Sequence, residues 1–281
     1  MSFGLLRIEG VITALSPIVH GGNEKTGATV LLRREKFLVN GKPIDVPIIS
    51  GNAIRGYLRR LVMADFLKQV DYAPDINKKG GLRLYHALFT GGLLETVDAS
   101  SSGVIDIEFK RKVVSLIPPA VMFGFSFGNQ TIESKLKVGK AIPIAKELVP
   151  FLPDRFKPER SFYELIDASQ FQTRKDDLKA GREKGEQAVQ MKIEYEAFAA
   201  GTQFYHKFMI EDPTPLDESL FARMLELWEA KPFIGGKSSI GFGEIKFDYD
   251  FQGSSEPYLK FLKEHRDEIV EVLEVLEGRK K

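Results

Sequence analysis

The segment Phe233-Ile-Gly-Gly-Lys-Ser-Ser-Ile-Gly-Phe-Gly-Glu-Ile245 limits the possible folds more than any other part of the chain. Leu220, Met224, Leu227 and Trp228 recur at helical spacing before it, and Ile245 and Phe247 alternate with Lys246 and Asp248 after it. The order is therefore helix, glycine-rich loop, strand. A nucleotide-binding P-loop needs strand before helix, and its first glycine falls where this chain has Lys231. A dinucleotide fingerprint needs a helix after its glycines. Both are excluded. A plain helix-to-strand turn needs one or two glycines. Here Gly235, Gly236, Gly241 and Gly243 free the backbone for positive φ and close approach. Lys237, Ser238 and Ser239 add a cation and hydroxyls of the kind that meet phosphate oxygens. Contact with a polyanion is favoured over a bare turn.

Composition limits the rest. The 281 residues are 43% hydrophobic and 28% charged, as in an ordinary globular protein, and the net charge of +1 points to no partner. The distribution is more telling: Arg33-Arg34, Arg55, Arg59-Arg60, Lys78-Lys79, Lys110-Arg111-Lys112 and Arg174-Lys175 spread over the body, whereas acid gathers near the C-terminus from Glu264 to Glu277. A near-neutral total can thus hide a basic face. The absence of cysteine excludes disulfides, thiolate zinc sites and a cysteine nucleophile, and fits a cytoplasmic location. No signal peptide or membrane span is expected, and no cofactor.

Along the chain, Leu6, Ile8, Gly10, Ile12 and Ala14 alternate with Arg7, Glu9, Val11 and Thr13 and predict a first strand, half buried. A polar loop is expected from His20 to Thr29 and a hairpin at Asn40-Gly41. Ser50 caps a helix with the apolar stripe Ile54, Leu58, Leu61 and Val62, while Asn52, Arg55 and Arg59 fall on a second stripe. Asp65 enters the apolar stripe and predicts an early end to the helix. Residues 72–150 read as an insertion of short hairpins, with strand-like runs at Val104 to Phe109, Val113 to Ile117 and Val121 to Phe127. The polar stretch Phe171 to Gln187 reads as a mobile projection, within a thumb spanning 168–190. Two strands follow, then a helix capped by Thr214 with Pro215 at its first position. The glycine-rich loop, a last core strand and a charged terminal helix over 257–277 complete a single domain, 1–281. The fold class is α+β: a ferredoxin-like, RRM-type βαββαβ core with a large hairpin-rich insertion and a protruding thumb.

Three blocks carry a family resemblance. Val46-Pro-Ile-Ile-Ser-Gly-Asn-Ala-Ile-Arg-Gly-Tyr-Leu-Arg-Arg60 resembles the helix entry of the RAMP superfamily, the repeat-associated proteins of class 1 CRISPR effector complexes. Phe171-Gln-Thr-Arg-Lys-Asp-Asp177 with Gln190-Met-Lys-Ile-Glu-Tyr-Glu-Ala-Phe-Ala-Ala-Gly-Thr-Gln-Phe204 resembles the thumb and following strand entry of that superfamily's backbone subunit. Gly235 to Gly243 resembles its C-terminal loop. The blocks stand in the family's order, and the middle one favours the backbone subunit. The resemblance implies a non-catalytic subunit that repeats along a guide RNA, with further copies of itself, other CRISPR effector subunits and a target nucleic acid as partners, and no membrane. The RNA-binding positions it implies are Gly22, Asn52, Arg55, Arg59, Arg60, Phe171, Arg174, Lys175, Gly235, Gly236, Lys237, Ser238 and Ser239. Grip on an RNA backbone suits Arg, Lys, hydroxyls and main-chain N–H groups.

Two alternatives stay open. The superfamily also includes guide-processing endoribonucleases with an early histidine, and His20 could serve as a general base. Against this, processing enzymes need no thumb. A protein-binding adaptor is the other. RNA-cutting backbone subunits carry an aspartate in the early loop, where residues 21–36 hold only Glu24 and Glu35 as acids. Gly241-Phe-Gly-Glu-Ile-Lys-Phe247 approaches an RRM stacking signature, but Glu244 replaces an aromatic and would repel nucleic acid. His86, His206 and His265 are expected in packing or surface roles, and the Asp176-Asp177 pair as a solvated loop rather than a metal site.

Overall fold

The computed structural model describes residues 4–26, 29–92, 106–127, 130–175 and 190–279. The chain enters on β1 (Leu5–Ala14), which buries Ile8, Gly10, Ile12 and Ala14 as the alternation predicts. Two hairpins follow, β2 (Gly21–Thr26) with β3 (Thr29–Leu32) and β4 (Arg34–Val39) with β5 (Lys42–Pro47). The first stands where a loop was expected. The second turns at Asn40-Gly41, with φ of 50° and 77°, the two positive values of a type I′ turn. Helix α1 (Gly51–Gln69) starts at Ser50, whose Oγ accepts from the Ala53 N–H. It does not stop at Asp65, because Arg223 meets that carboxylate through two hydrogen bonds of 3.0 and 2.8 Å.

The expectation of hairpins in the insertion is corrected. Its described part holds α2 (Lys79–Thr90), α3 (Ile107–Leu116) and α4 (Pro118–Phe123), then one short hairpin, β6 (Phe125–Phe127) with β7 (Gln130–Ile132). Asp106 caps α3 by accepting the Phe109 N–H at 2.9 Å. Pro118-Pro119 begins α4, where a missing N–H costs nothing. Part of the β-branched run read as strand is helix face, with Val113 fully buried. Gly80 and Gly81 permit the close packing of α2: a Cβ at Gly80 would lie 1.8 Å from the Glu277 carbonyl oxygen. The next strands, β8 (Leu136–Val138) and β9 (Ile142–Pro143), belong to the core sheet rather than to an insertion.

The remaining elements are β10 (Ile166–Lys175), β11 (Gln190–Phe198), β12 (Gln203–Glu211), α5 (Pro215–Ala230), β13 (Ile245–Tyr249), α6 (Glu256–Glu264) and α7 (Arg266–Glu277). Thr214 and Asp217 form a capping box on α5, with Pro215 in its first turn. The single terminal helix expected over 257–277 is instead two helices, broken at His265. Nor is its acidic face wholly solvated. Glu277 is buried, accepting from the Tyr72 hydroxyl and, at 3.1 Å, the Asp75 N–H.

The core sheet runs β13-β1-β12-β8, with β9 also on β12, and every pair is antiparallel. Counted as β1, α1, β8/β9, β12, α5 and β13, the order is that of a ferredoxin-like fold, as expected. Helices α1 and α5 pack together, and Ile8, Ile12, Ile54, Leu58, Phe208 and Trp228 share one core. A second sheet, β10-β11-β3-β2, joins the β10–β11 ribbon to the early hairpin through a parallel pairing of β11 with β3.

His206 of β12 lies opposite Gly10 in the register. Gly10 has no side chain because a Cβ there would fall 2.3 Å from the Tyr249 ring. Tyr249 thereby approaches His206, and Nδ1 and the hydroxyl stand 2.8 Å apart. The Gly139 carbonyl, 3.1 Å from Nε2, can only accept, so Nε2 carries the proton and Nδ1 accepts from Tyr249. Burial pushes the His206 pKa down from 6.5 to about 3. The folded chain then binds fewer protons than the unfolded one below pH 6.5, and stability falls as pH falls through that window. Within that window each pH unit removes on the order of 1 kcal/mol. Urea unfolding at pH 7 and pH 5 is expected to differ by ~2 kcal/mol, and His206→Gln to flatten the dependence. An equally steep loss in the variant would place its origin elsewhere.

Candidate functional site

The first turns of α1, the chain just after β1 and the loop after α5 converge on one concavity of about 470 Å³. Asn52, Arg55, Arg59 and Arg60 are among the residues that line it from α1, with His20 and Gly235 from the two loops and Phe89 and Thr90 from the end of α2. Its lining holds no carboxylate. Asn52 and Arg60 are exposed, and Arg55 is half-buried with its guanidinium donating to the Phe123 carbonyl. Burial lowers the Arg55 pKa.

Arg59, expected beside Arg55 on an RNA-facing stripe, also borders the concavity, but its side chain is turned into the protein rather than out to solvent. It is 3% exposed. Its Nε donates to the Leu88 carbonyl, Nη1 to Phe123 at 3.1 Å and Nη2 to Ala87 at 2.8 Å. Helices α2 and α4 cover this side of α1, and Arg59 meets the carbonyls at their C-terminal ends. Burial first, then Arg55, pushes its pKa down to about 10, so it is charged at neutral pH.

His20 accepts the Ser50 N–H on Nε2 at 3.2 Å, and so helps to fix the start of α1. Burial, with Arg33 adding, holds its pKa below 6.5. A neutral ring accepting at Nε2 carries its proton on Nδ1 and has no second lone pair in the ring plane. Tyr57 ties α1 to the exit of α5 by donating to the Lys231 carbonyl at 2.9 Å.

The glycine-rich loop folds back on the strand exit. The Gly236 N–H donates to Val19 at 2.8 Å and the Gly243 N–H to Pro17 at 2.9 Å, so these two amides are occupied rather than offered to a ligand. Gly235 has φ of 79°, and a Cβ there would lie 2.5 Å from the Val19 carbonyl oxygen. Ser238 and Ser239 are exposed. The Lys237 ammonium sits 4.3 Å from the centroid of the Tyr195 ring in β11. The loop therefore links the concavity, through Gly235, to the β10–β11 ribbon, through Lys237.

Gly22 (in β2), Gly236, Lys237, Ser238 and Ser239 are not part of the concavity lining. Phe171 lies in β10 and is 58% exposed. Arg174 and Lys175 pair with Met191 and Gln190 in a β-ribbon, so the projection expected from Phe171 begins as regular strand; residues 176–189, including Asp176-Asp177, lie outside the described residues. Phe247 stacks on Trp228 in the core, with centroids 4.7 Å apart, rather than serving as an RRM platform. Phe89, Thr90 and Tyr57 were not foreseen as site residues. The inward spacing of Leu84 and Leu88 could have indicated α2, but nothing in the sequence says where that helix docks.

No helix among the described residues is long and apolar enough to cross a membrane. The family model of the RAMP superfamily matches residues 11–246. No curated protein matches the chain. A solved chain described as "Type IV-B CRISPR Complex" is similar in fold, with a TM-score of 0.58 and 20% identity, covering 89% of this chain and 93% of that one.

Proposed function

We propose that this chain, which belongs to the RAMP superfamily, is a non-catalytic backbone subunit of a CRISPR effector ribonucleoprotein that grips guide RNA by its phosphates and repeats along it. The observation that carries this reading is the convergence of Asn52, Arg55 and Arg60 with Gly235 on one acid-free concavity. Two guanidinium groups and an amide are suited to ribose and phosphate oxygens and impose no base preference. The similar fold of a chain described as a Type IV-B CRISPR complex supports assembly with other effector subunits.

Affinity for single-stranded RNA is expected to fall steeply with salt and to vary little with sequence. Arg60→Ala removes an exposed cation, and should weaken all sequences alike and lower the log–log salt slope by about 0.7. Fluorescence anisotropy at several salt concentrations measures both. Binding that ignores salt, or that is confined to one motif, would refute the phosphate grip.

One observation favours the endoribonuclease reading: His20 lines the concavity. The Ser50 N–H on its Nε2 weighs against a role as base. The same RNA series separates the two readings. His20→Ala should leave binding nearly intact, and no hairpin should be cut by either protein. Specific cleavage that vanishes in His20→Ala would favour the nuclease, and purification free of nucleic acid would favour the adaptor.

A further inference from the structure

On α2, Leu82 and Tyr85 are exposed and Phe89 is half-buried, at successive spacings of three and four. The Tyr85 and Phe89 rings stack with centroids 4.5 Å apart and planes 21° apart. Tyr85 is 39% exposed, and Phe89 forms part of the concavity wall that also holds Asn52, Arg55 and Arg60. Single exposed apolar residues are ordinary. A stacked aromatic pair that begins in solvent and ends in an acid-free basic concavity is a more specific arrangement. Proteins that hold single strands combine a cationic track for the phosphates with aromatic faces for the bases.

We propose that Tyr85 and Phe89 form a stacking platform for a base of the single-stranded RNA whose phosphates the concavity holds; this deepens the function proposed above and rests on it. Charge selects RNA over a second copy of the chain as the occupant, because the concavity continuous with Phe89 offers cations and no carboxylate. Arg59 makes the platform rigid. By holding the Ala87 and Leu88 carbonyls it fixes the last turn of α2, and so Phe89, against α1. A prepositioned ring loses little freedom when a base stacks on it. The sheet face of an RRM-type fold usually carries such rings. Here Phe247 is half-buried and stacked on Trp228, and Glu244 replaces the other ring, so the inserted helix supplies the aromatic surface instead.

The test uses the full chain and a short single-stranded RNA carrying 2-aminopurine. Tyr85→Ala and Phe89→Ala are each expected to weaken binding by about 10-fold, with the salt slope unchanged because no phosphate contact is lost. Quenching of the 2-aminopurine on binding should appear with the wild-type chain and diminish in both variants. Phe89→Trp keeps a stacking face at a partly packed position and should restore binding and quenching, which separates stacking from folding. Unaltered affinity and quenching in Tyr85→Ala and Phe89→Ala, with salt-dependent binding intact, would overturn the platform and leave the phosphate grip standing. If the wild-type chain binds no RNA, both fall. A Tyr85→Ala variant that loses only self-association would make this face a contact between copies and also overturn the platform.

Discussion

Arg59→Ala is expected to destabilise the fold by roughly 3 kcal/mol or more. The side chain is buried and supplies donors to three main-chain carbonyls on two helices. Truncation would leave those oxygens without their partner and open a cavity between α1, α2 and α4. Among the described residues Arg59 has no carboxylate in ion-pair contact, so its charge is balanced by carbonyl dipoles at helix ends. Arg59→Lys keeps a charge but not the planar fork, and should fall between alanine and wild type. Urea unfolding reads the effect as a lower midpoint at unchanged slope. RNA titrations separate this residue from its exposed neighbour. Arg60→Ala should lower the salt slope without loss of stability, whereas Arg59→Ala should above all lose stability, because its guanidinium is committed to the carbonyls of α2 and α4. An Arg59→Ala protein within about 0.5 kcal/mol of wild type would show that these bonds are dispensable.

Arg59 also shows where the sequence stops being legible. The N-cap Ser50, the stripe Ile54, Leu58 and Val62, and the position of Arg59 off that stripe could all be read from local spacing, and α1 forms accordingly. Whether a residue off the stripe faces solvent depends on what else packs there. That was decided by α2 and α4, whose docking is non-local and leaves no periodic trace in α1. The same limit explains the insertion. Its β-branched residues favour strand as a local preference, but an Asp106 cap and a buried Val113 make the segment helical once α3 has α7 to pack on. Strands β8 and β9 span three and two residues, too few to show alternation, although they complete the ferredoxin-like order. The glycine-rich loop was placed by its helix and strand flanks. The occupation of its Gly236 and Gly243 amides by Val19 and Pro17 was not readable, because the strand exit that takes them lies more than two hundred residues earlier.

Excising residues 176–189 and closing Lys175 to Gln190 with an Asn-Gly turn is expected to spare the fold and abolish ordered assembly along RNA. Lys175 and Gln190 are register partners in the β10–β11 ribbon, so a two-residue turn closes the gap without moving either strand. The ribbon below the cut is anchored independently: Tyr195, Ala197 and Phe198 are buried, and β11 pairs with β3. Unfolding free energy should therefore change by less than about 0.5 kcal/mol. The concavity proposed to hold phosphates lies between α1, α2 and the glycine-rich loop, so affinity for a strand long enough for one copy should also persist. The excised sequence carries Lys179, Arg182 and Lys184 among acids and glycines and few apolar residues, a composition suited to reaching RNA held by a neighbouring copy and not to building a core. In the proposed assembly this reach makes binding to a long strand cooperative, since each copy adds contacts to the segment held by the next. Electron microscopy of wild-type and excised protein on a long single-stranded RNA measures the outcome. Regular filaments are expected only for the wild type, with scattered, independently bound copies for the excised protein. Filaments of the same pitch and salt resistance in both would reduce this segment to an ordinary surface loop, and would require copies to contact one another through the described domain alone.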